Sequence, residues 1–140
     1  MQTTSLKRVL VGVDGSENAL RAVEFAGALA KGFGSEVTLV LVLTPSDHDL
    51  LSGKATYMEK GARLGGERLK AAERLLEKLG VNYRSEVELG HPAEQLLQLA
   101  KDHDLVVVGT RGLSPFKEAL IGSTSHRLVQ GGRSPVLVVP

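Results

Sequence analysis

Two apolar runs constrain the fold of this chain more than anything else in it: Arg8-Val9-Leu10-Val11-Gly12-Val13 and Val37-Thr38-Leu39-Val40-Leu41-Val42-Leu43. Neither alternates apolar with polar side chains, so each suits a strand buried on both faces. Such strands belong to parallel sheets, whose crossover helices cover both faces. The segment between the runs fits a crossover. Asp14-Gly15-Ser16 breaks the first run and offers cap residues. Leu20, Val23, Ala26, Leu29 and Ala30 then recur at helical spacing to about Lys31, and Gly32 and Gly34 stop the helix.

The alternation continues along the chain. Thr44 to about Ala55, with Pro45, Ser46, Asp47, Asp49 and Gly53, reads as a loop. A helix follows from near Tyr57 to Leu79, with Leu69, Ala72, Leu76 and Leu79 on one stripe. Gly61, Gly65 and Gly66 weaken its first half by about 1 kcal/mol each relative to alanine. Tyr83 to Leu89 alternates polar and apolar, the pattern of an edge strand with one wet face. Gly90-His91-Pro92 opens the next helix, whose buried face is Leu96, Leu97, Leu99 and Ala100. Leu105 to Val108 reads as a strand, Ser123 to about Gln130 as a helix, and Ser134 to Val139 as a last strand. This pattern predicts an α/β three-layer sandwich around a parallel sheet with right-handed crossovers. At 140 residues the natural expectation is one domain, 1–140.

Composition narrows the function. With no cysteine, disulfides, thiolate catalysis and cysteine-based zinc sites are excluded. A net charge of +1 gives no case for bulk attraction to nucleic acid or to a membrane surface. No apolar run approaches the roughly 20 residues of a membrane span, and Gly12 and Asp14 interrupt the N-terminal run too early for a signal peptide. The expected location is therefore the cytoplasm. His48, His91, His103 and His126 show no metal-ligand spacing. There is no Gly-x-Ser-x-Gly elbow. Gly53-Lys54 lacks both the Ser/Thr and the leading glycine of a P-loop, and Gly32-Phe33-Gly34 follows a helix where a dinucleotide fingerprint would follow a strand.

The chemistry-bearing stretch is Val106-Val107-Val108-Gly109-Thr110-Arg111-Gly112, then nine residues, then Gly122-Ser123-Thr124. Glycine lets a backbone approach a ligand closely, and a helix start offers unpaired N–H groups. Together they make a phosphate cradle. Ligands of open parallel sheets bind beyond the carboxyl ends of strands where the winding reverses. If strands one and four are neighbours, the order is 3-2-1-4-5, and Asp14, Gly109, Gly112 and Gly122 converge. Val13, Val42 and Val108 would then form an apolar slot for a flat base. Loop N–H groups with Ser123 and Thr124 would hold phosphates. A carboxylate beside phosphates is repulsive, so Asp14 would bind ribose hydroxyls or act through a hydrated Mg²⁺. Plainer readings exist for the single residues. Asp14-Gly15-Ser16, Ser123 and Thr124 also serve as helix caps, Val42 as core, and Arg111 as a solvated surface arginine.

These residues resemble the signature of nucleotide-binding universal stress proteins, in the spacing Gly109-x-x-Gly112-(nine residues)-Gly122-Ser123. The likeness extends to Lys7 through Ser16, to Val37 through Leu43, and to Ser134 through Val139, and is weakest between Thr44 and Gly66. The resemblance implies the five-stranded 3-2-1-4-5 sandwich and ATP as ligand, with Mg²⁺ or Mn²⁺. It implies that Asp14 lies near ribose and metal, with no side chain ligating the ion directly and Asp14 reaching it through water. Val42 would line the adenine, and Gly109, Gly112, Gly122, Ser123 and Thr124 would form the ribose and phosphate loop. It also implies a homodimer acting in stress responses. Thr44 departs mildly, standing where many members carry an acidic residue. Independently, Val136 to Val139 is strongly apolar yet falls at a sheet edge in this order, which invites pairing with a second copy. The alternatives are a slow ATP hydrolase, for which only Asp14 and Arg111 offer groups, and an interaction domain whose crevice binds no nucleotide.

Overall fold

A computed structural model of the chain describes residues 5–43, 54–110 and 123–140. Its strands are β1 (Arg8–Val13), β2 (Glu36–Leu43), β3 (Tyr83–Leu89), β4 (Leu105–Gly109) and β5 (Val136–Val139). Its helices are α1 (Glu17–Phe33), α2 (Lys54–Leu79), α3 (Pro92–Ala100) and α4 (Ser123–Gly131). The strands form one sheet in the order β3-β2-β1-β4-β5, and every neighbouring pair is parallel.

Strand alternation splits the core into two layers. Val9, Val11, Val13, Leu39, Leu41 and Val107 pack with α1 and with Leu69, Ala72 and Leu76 of α2. Leu10, Val40, Val42, Val106 and Val108 pack on the other face with Leu96 and Ala100 of α3 and Leu128 of α4. The unalternating runs are thus apolar because both faces are covered, and each such side chain contributes about 1.5–3 kcal/mol by leaving water. β3 lies at an edge, as its alternation predicted, with Arg84, Ser85 and Leu89 exposed.

The element ends show local causes. Ser16 caps α1 by accepting from the Ala19 N–H at 3.1 Å, and Gly34 closes it in the left-handed conformation at φ 69°. α2 runs unbroken from Lys54, so its glycines do not interrupt it. Gly65 has a packing reason to be glycine: a Cβ there would stand 2.6 Å from Val87 Cγ2. The small residue lets α2 approach β3 closely. β5 begins at Val136, two residues later than the sequence suggests. Ser134 is engaged elsewhere, its hydroxyl donating to the Ala100 carbonyl at 2.9 Å. Of the Thr44 to Ala55 loop expectation, residues 44–53 lie outside the described residues, while Lys54 and Ala55 are already helical. No helix among the described residues is long and apolar enough to cross a membrane.

Candidate functional site

The winding reverses between β1 and β4, the central pair. They run parallel with Val11 level with Val107. Two residues further along, the same register brings Val13 level with Gly109. Asp14 and Thr110, the residues that follow, therefore leave the tops of neighbouring strands. β2 pairs with β1 with Val13 level with Leu41, so Val42 and Leu43 project past the end of β1 as a wall. This is the crevice geometry in which open parallel sheets take ligands.

Asp14 sits half-buried at the β1–α1 turn. Its Oδ1 accepts the Ser16 N–H at 2.9 Å. Gly15 between them takes φ 90°, a conformation that side-chain-bearing residues rarely adopt. The turn is thus built by a carboxylate on one side and a serine cap on the other, so Asp14, at the crevice end of β1, serves the turn itself. Its other oxygen, Oδ2, has no hydrogen bond among the described residues. An unengaged carboxylate oxygen at a strand end fits a ribose hydroxyl or a hydrated divalent cation.

Gly109 is the last residue of β4 and is buried. A Cβ there would lie 2.8 Å from Asn18 Cγ and 3.2 Å from the Asn18 carbonyl oxygen. The glycine therefore makes room for the start of α1. Asn18 in turn donates from Nδ2 to the Val139 carbonyl at 3.3 Å, and the Thr110 N–H donates to the same oxygen at 3.0 Å. The Val139 carbonyl at the end of β5 thus holds both the start of α1 and the residue after β4. Sequence reasoning missed Asn18, because its partners lie 91 and 121 positions away. It also missed Arg68 of α2. The methylenes of that side chain would stand 3.5–3.9 Å from a Cβ on Gly15, which sets a cationic side chain beside the turn.

The predicted apolar slot is corrected. Val13 is 1% exposed and points into the α1/α2 layer, whereas Val42, 6% exposed, and Val108, fully buried, point into the α3/α4 layer. Side chains alternate along a strand, and the register puts these three on opposite faces. They cannot form one wall. Val42 and Val108 share a layer, and Val13 has only its backbone to offer at the crevice. Ser123 and Thr124 are the first two residues of α4. Arg111, Gly112 and Gly122, and the hydroxyls of Ser123 and Thr124, lie outside the described residues. Among the described residues no three His, Asp or Glu side chains gather as a metal site.

Known proteins share this fold. The model of the universal stress protein family matches residues 5–140. A universal stress protein of Thermus aquaticus is 34% identical over 140 residues, covering 95% of this chain and 98% of its own. One from Methanocaldococcus jannaschii is 32% identical over 138 residues, covering 95% of this chain and 81% of its own. Among solved structures, a universal stress protein in complex with cAMP superposes with a TM-score of 0.72 at 26% identity, covering 96% of this chain and 97% of its own. A family match over residues 5–140, with relatives that cover 95% of the chain, settles the assignment: the chain belongs to the universal stress protein family.

Proposed function

We propose that this chain is an ATP-binding, homodimeric regulatory module of the cytoplasmic stress response, and that it acts through nucleotide occupancy rather than turnover. The observation that supports the reading is the parallel pairing of β1 with β4, from whose neighbouring ends the Asp14 and Gly109–Thr110 turns leave at the reversal of winding, with Asp14 Oδ2 unengaged among the described residues. A relative of the same fold binds cAMP, which shares adenine and ribose with ATP. Asp14 would hold the ribose or a hydrated Mg²⁺ or Mn²⁺ ion. The stretch from Gly109 through Gly112 to Gly122, Ser123 and Thr124, with Arg111, would take the phosphates. Bound there, the divalent ion would offset phosphate charge. Val42 and Val108 would bound the base on one side. For the dimer, the support is β5, whose Val136, Leu137 and Val138 are only half-buried at an apolar edge.

Calorimetry with ATP and Mg²⁺ tests this directly. Binding in the micromolar range or tighter is expected, and no heat at millimolar ATP would overturn it. Mass spectrometry of ligand released from gently purified protein identifies the nucleotide. Gly122→Val should abolish binding and leave the circular dichroism spectrum unchanged, because a side chain would fill the phosphate position.

A further inference from the structure

β3 closes the sheet on the side away from β5, and no described strand lies outside it. The Asn82 carbonyl accepts the Val37 N–H at 2.9 Å, and the Gly90 N–H donates to the Leu43 carbonyl at 3.0 Å. The N–H and carbonyl of one residue point to the same side of a strand, and that side alternates along it. Even-numbered residues of β3 therefore bond β2, while Tyr83, Ser85, Val87 and Leu89 turn their backbone outward. Gln95 Nε2 donates to the Leu89 carbonyl at 3.3 Å. The N–H and carbonyl groups of Tyr83, Ser85 and Val87 have no hydrogen bond among the described residues. From Tyr83 to Val87 this leaves an open edge of about 16 Å, at roughly 3.3 Å per residue. Edges are commonly blunted by a proline, a bulge or a very short strand. β3 has none of these, and pairs with β2 without a break from Tyr83 to Leu89.

Charge selects what can add there. Tyr83 and Val87 pack toward α2, so alternation puts Arg84, Glu86 and Glu88 on the other face. Arg84 Nε lies 3.8 Å from Glu36 and 3.9 Å from Glu86. On the α2 side the Ser85 hydroxyl donates to Glu73 at 2.9 Å and the Tyr83 hydroxyl to Glu77 at 2.6 Å. The ionic side chains that β3 carries or bonds are thus five carboxylates and one guanidinium, in a chain of net charge +1. Such a rim repels nucleic acid and anionic lipid. A second copy would bring the same surplus of carboxylates against it. We propose that the β3 edge binds an extended, lysine- or arginine-rich segment of another protein by strand addition. The segment lies as a sixth strand outside β3, and its backbone completes the open row. Its Lys or Arg side chains, at every second position, stand opposite Glu86 and Glu88. Small or apolar residues between them rest on Tyr83 and Val87. The edge is separate from both the crevice and β5, so binding should be the same with and without ATP.

Fluorescence anisotropy on the full chain tests this with three labelled peptides: Lys-Val-Lys-Val-Lys-Val, Glu-Val-Glu-Val-Glu-Val, and the lysine peptide N-methylated throughout. The lysine peptide should bind, and the other two should bind at least tenfold more weakly. Ser85→Pro removes one outward N–H, and an edge strand tolerates proline where that N–H bonds nothing in the sheet. It should keep the native circular dichroism spectrum and weaken the lysine peptide at least tenfold. Glu86→Lys combined with Glu88→Lys should reverse the preference between the lysine and glutamate peptides. Bound peptide should also slow hydrogen exchange at the amides of Tyr83, Ser85 and Val87. No binding of the lysine peptide at millimolar concentration would overturn the proposal. So would equal binding of the N-methylated peptide, which needs charge alone, or undiminished binding by a natively folded Ser85→Pro. Sedimentation equilibrium showing self-association that Ser85→Pro abolishes would place a second copy on this edge and overturn it as well. Should Ser85→Pro lose its native spectrum, the charge-reversed pair and the amide exchange carry the same test, and an unreversed preference with unprotected amides would overturn the proposal.

Discussion

The two ends of the sheet are built on opposite plans. At the amino end, where no ligand is expected, polar groups close on one another. Asp104 Oδ2 accepts the N–H groups of Lys7 at 2.9 Å and Arg8 at 3.0 Å, while its own N–H donates to the Arg8 carbonyl at 2.8 Å. Buried His103 bonds the Leu99 carbonyl through Nδ1 at 2.7 Å and the Thr38 hydroxyl through Nε2 at 2.9 Å. The Ser35 hydroxyl donates to the Leu6 carbonyl. At the carboxyl end, Asp14 uses one oxygen and keeps the other unengaged among the described residues. Asn18 and the Thr110 N–H do close on the Val139 carbonyl at this end, so the contrast rests on the one Asp14 oxygen that stays open beside them. Substitutions at the first end should therefore change stability without changing nucleotide affinity, and those at the second should do the reverse.

Gly109→Ala falls at the carboxyl end, where the glycine also makes room for the start of α1, so it should change both quantities and carries the largest expected effect. The added Cβ would overlap the Asn18 amide and crowd its carbonyl. Overpacking of this kind costs about 1–3 kcal/mol, and the displaced top of β4 should also weaken ATP binding. Urea denaturation gives the first quantity and calorimetry the second. Asn18→Ala in the same chain should recover part of the loss, since residues in contact are not additive. Full additivity would show that the overlap is relieved elsewhere.

Asp104→Ala should cost about 2 kcal/mol at pH 7, because two backbone N–H groups lose a charged acceptor. Affinity for ATP should not change. The backbone N–H groups of Arg8 and then Lys7 hold the Asp104 carboxyl below its ordinary range. Its folded value is thus depressed, so the stabilisation is present above the unfolded carboxylate's titration and is lost as pH falls through the folded one. The stability gap between the native chain and Asp104→Asn should be widest near neutrality and close below about pH 4. A gap that widened on acidification would reverse the assignment. Thr38→Val should cost somewhat less, about 1–2 kcal/mol, by leaving His103 Nε2 buried without its partner. Again no change in affinity is expected, and a tenfold change would break the division between the ends.

The sequence disclosed these ends unequally. Burial on both faces leaves a compositional trace, so Val9 to Val13 and Val37 to Leu43 were legible as central strands, and the alternation in Tyr83 to Leu89 as an edge. Turn chemistry is local, so Asp14-Gly15-Ser16 was legible as a break and a cap. Gly109 was legible as a special glycine, but its structural cause, the Asn18 amide, is a contact across 91 positions with no periodic signature. His103 showed only the lack of a metal spacing, and Asp104 only the approach to a strand, because their partners Thr38, Lys7 and Arg8 come from other elements. The Val13, Val42 and Val108 slot failed for a related reason. Each residue was correctly placed at a strand end, but which face it presents depends on cross-strand register.

The smallest expected change in stability is also the sharpest separation of the two plans. Asp14→Asn keeps an acceptor for the Ser16 N–H, so the β1–α1 turn and the Ser16 cap should persist and stability should stay within about 0.5 kcal/mol. What the substitution removes is charge, at the oxygen that makes no bond among the described residues. If that oxygen faces a hydrated cation, ATP affinity should fall about tenfold or more with Mg²⁺ present and much less with Mg²⁺ chelated. If it faces ribose hydroxyls, an amide can still accept one hydrogen bond, and the loss should be smaller and equal in the two conditions. Calorimetry of this one variant, with and without the cation, thus separates the two roles that the turn allows. Unchanged affinity in both conditions would leave Asp14 a turn-former, no different in kind from Asp104 at the far end of the sheet.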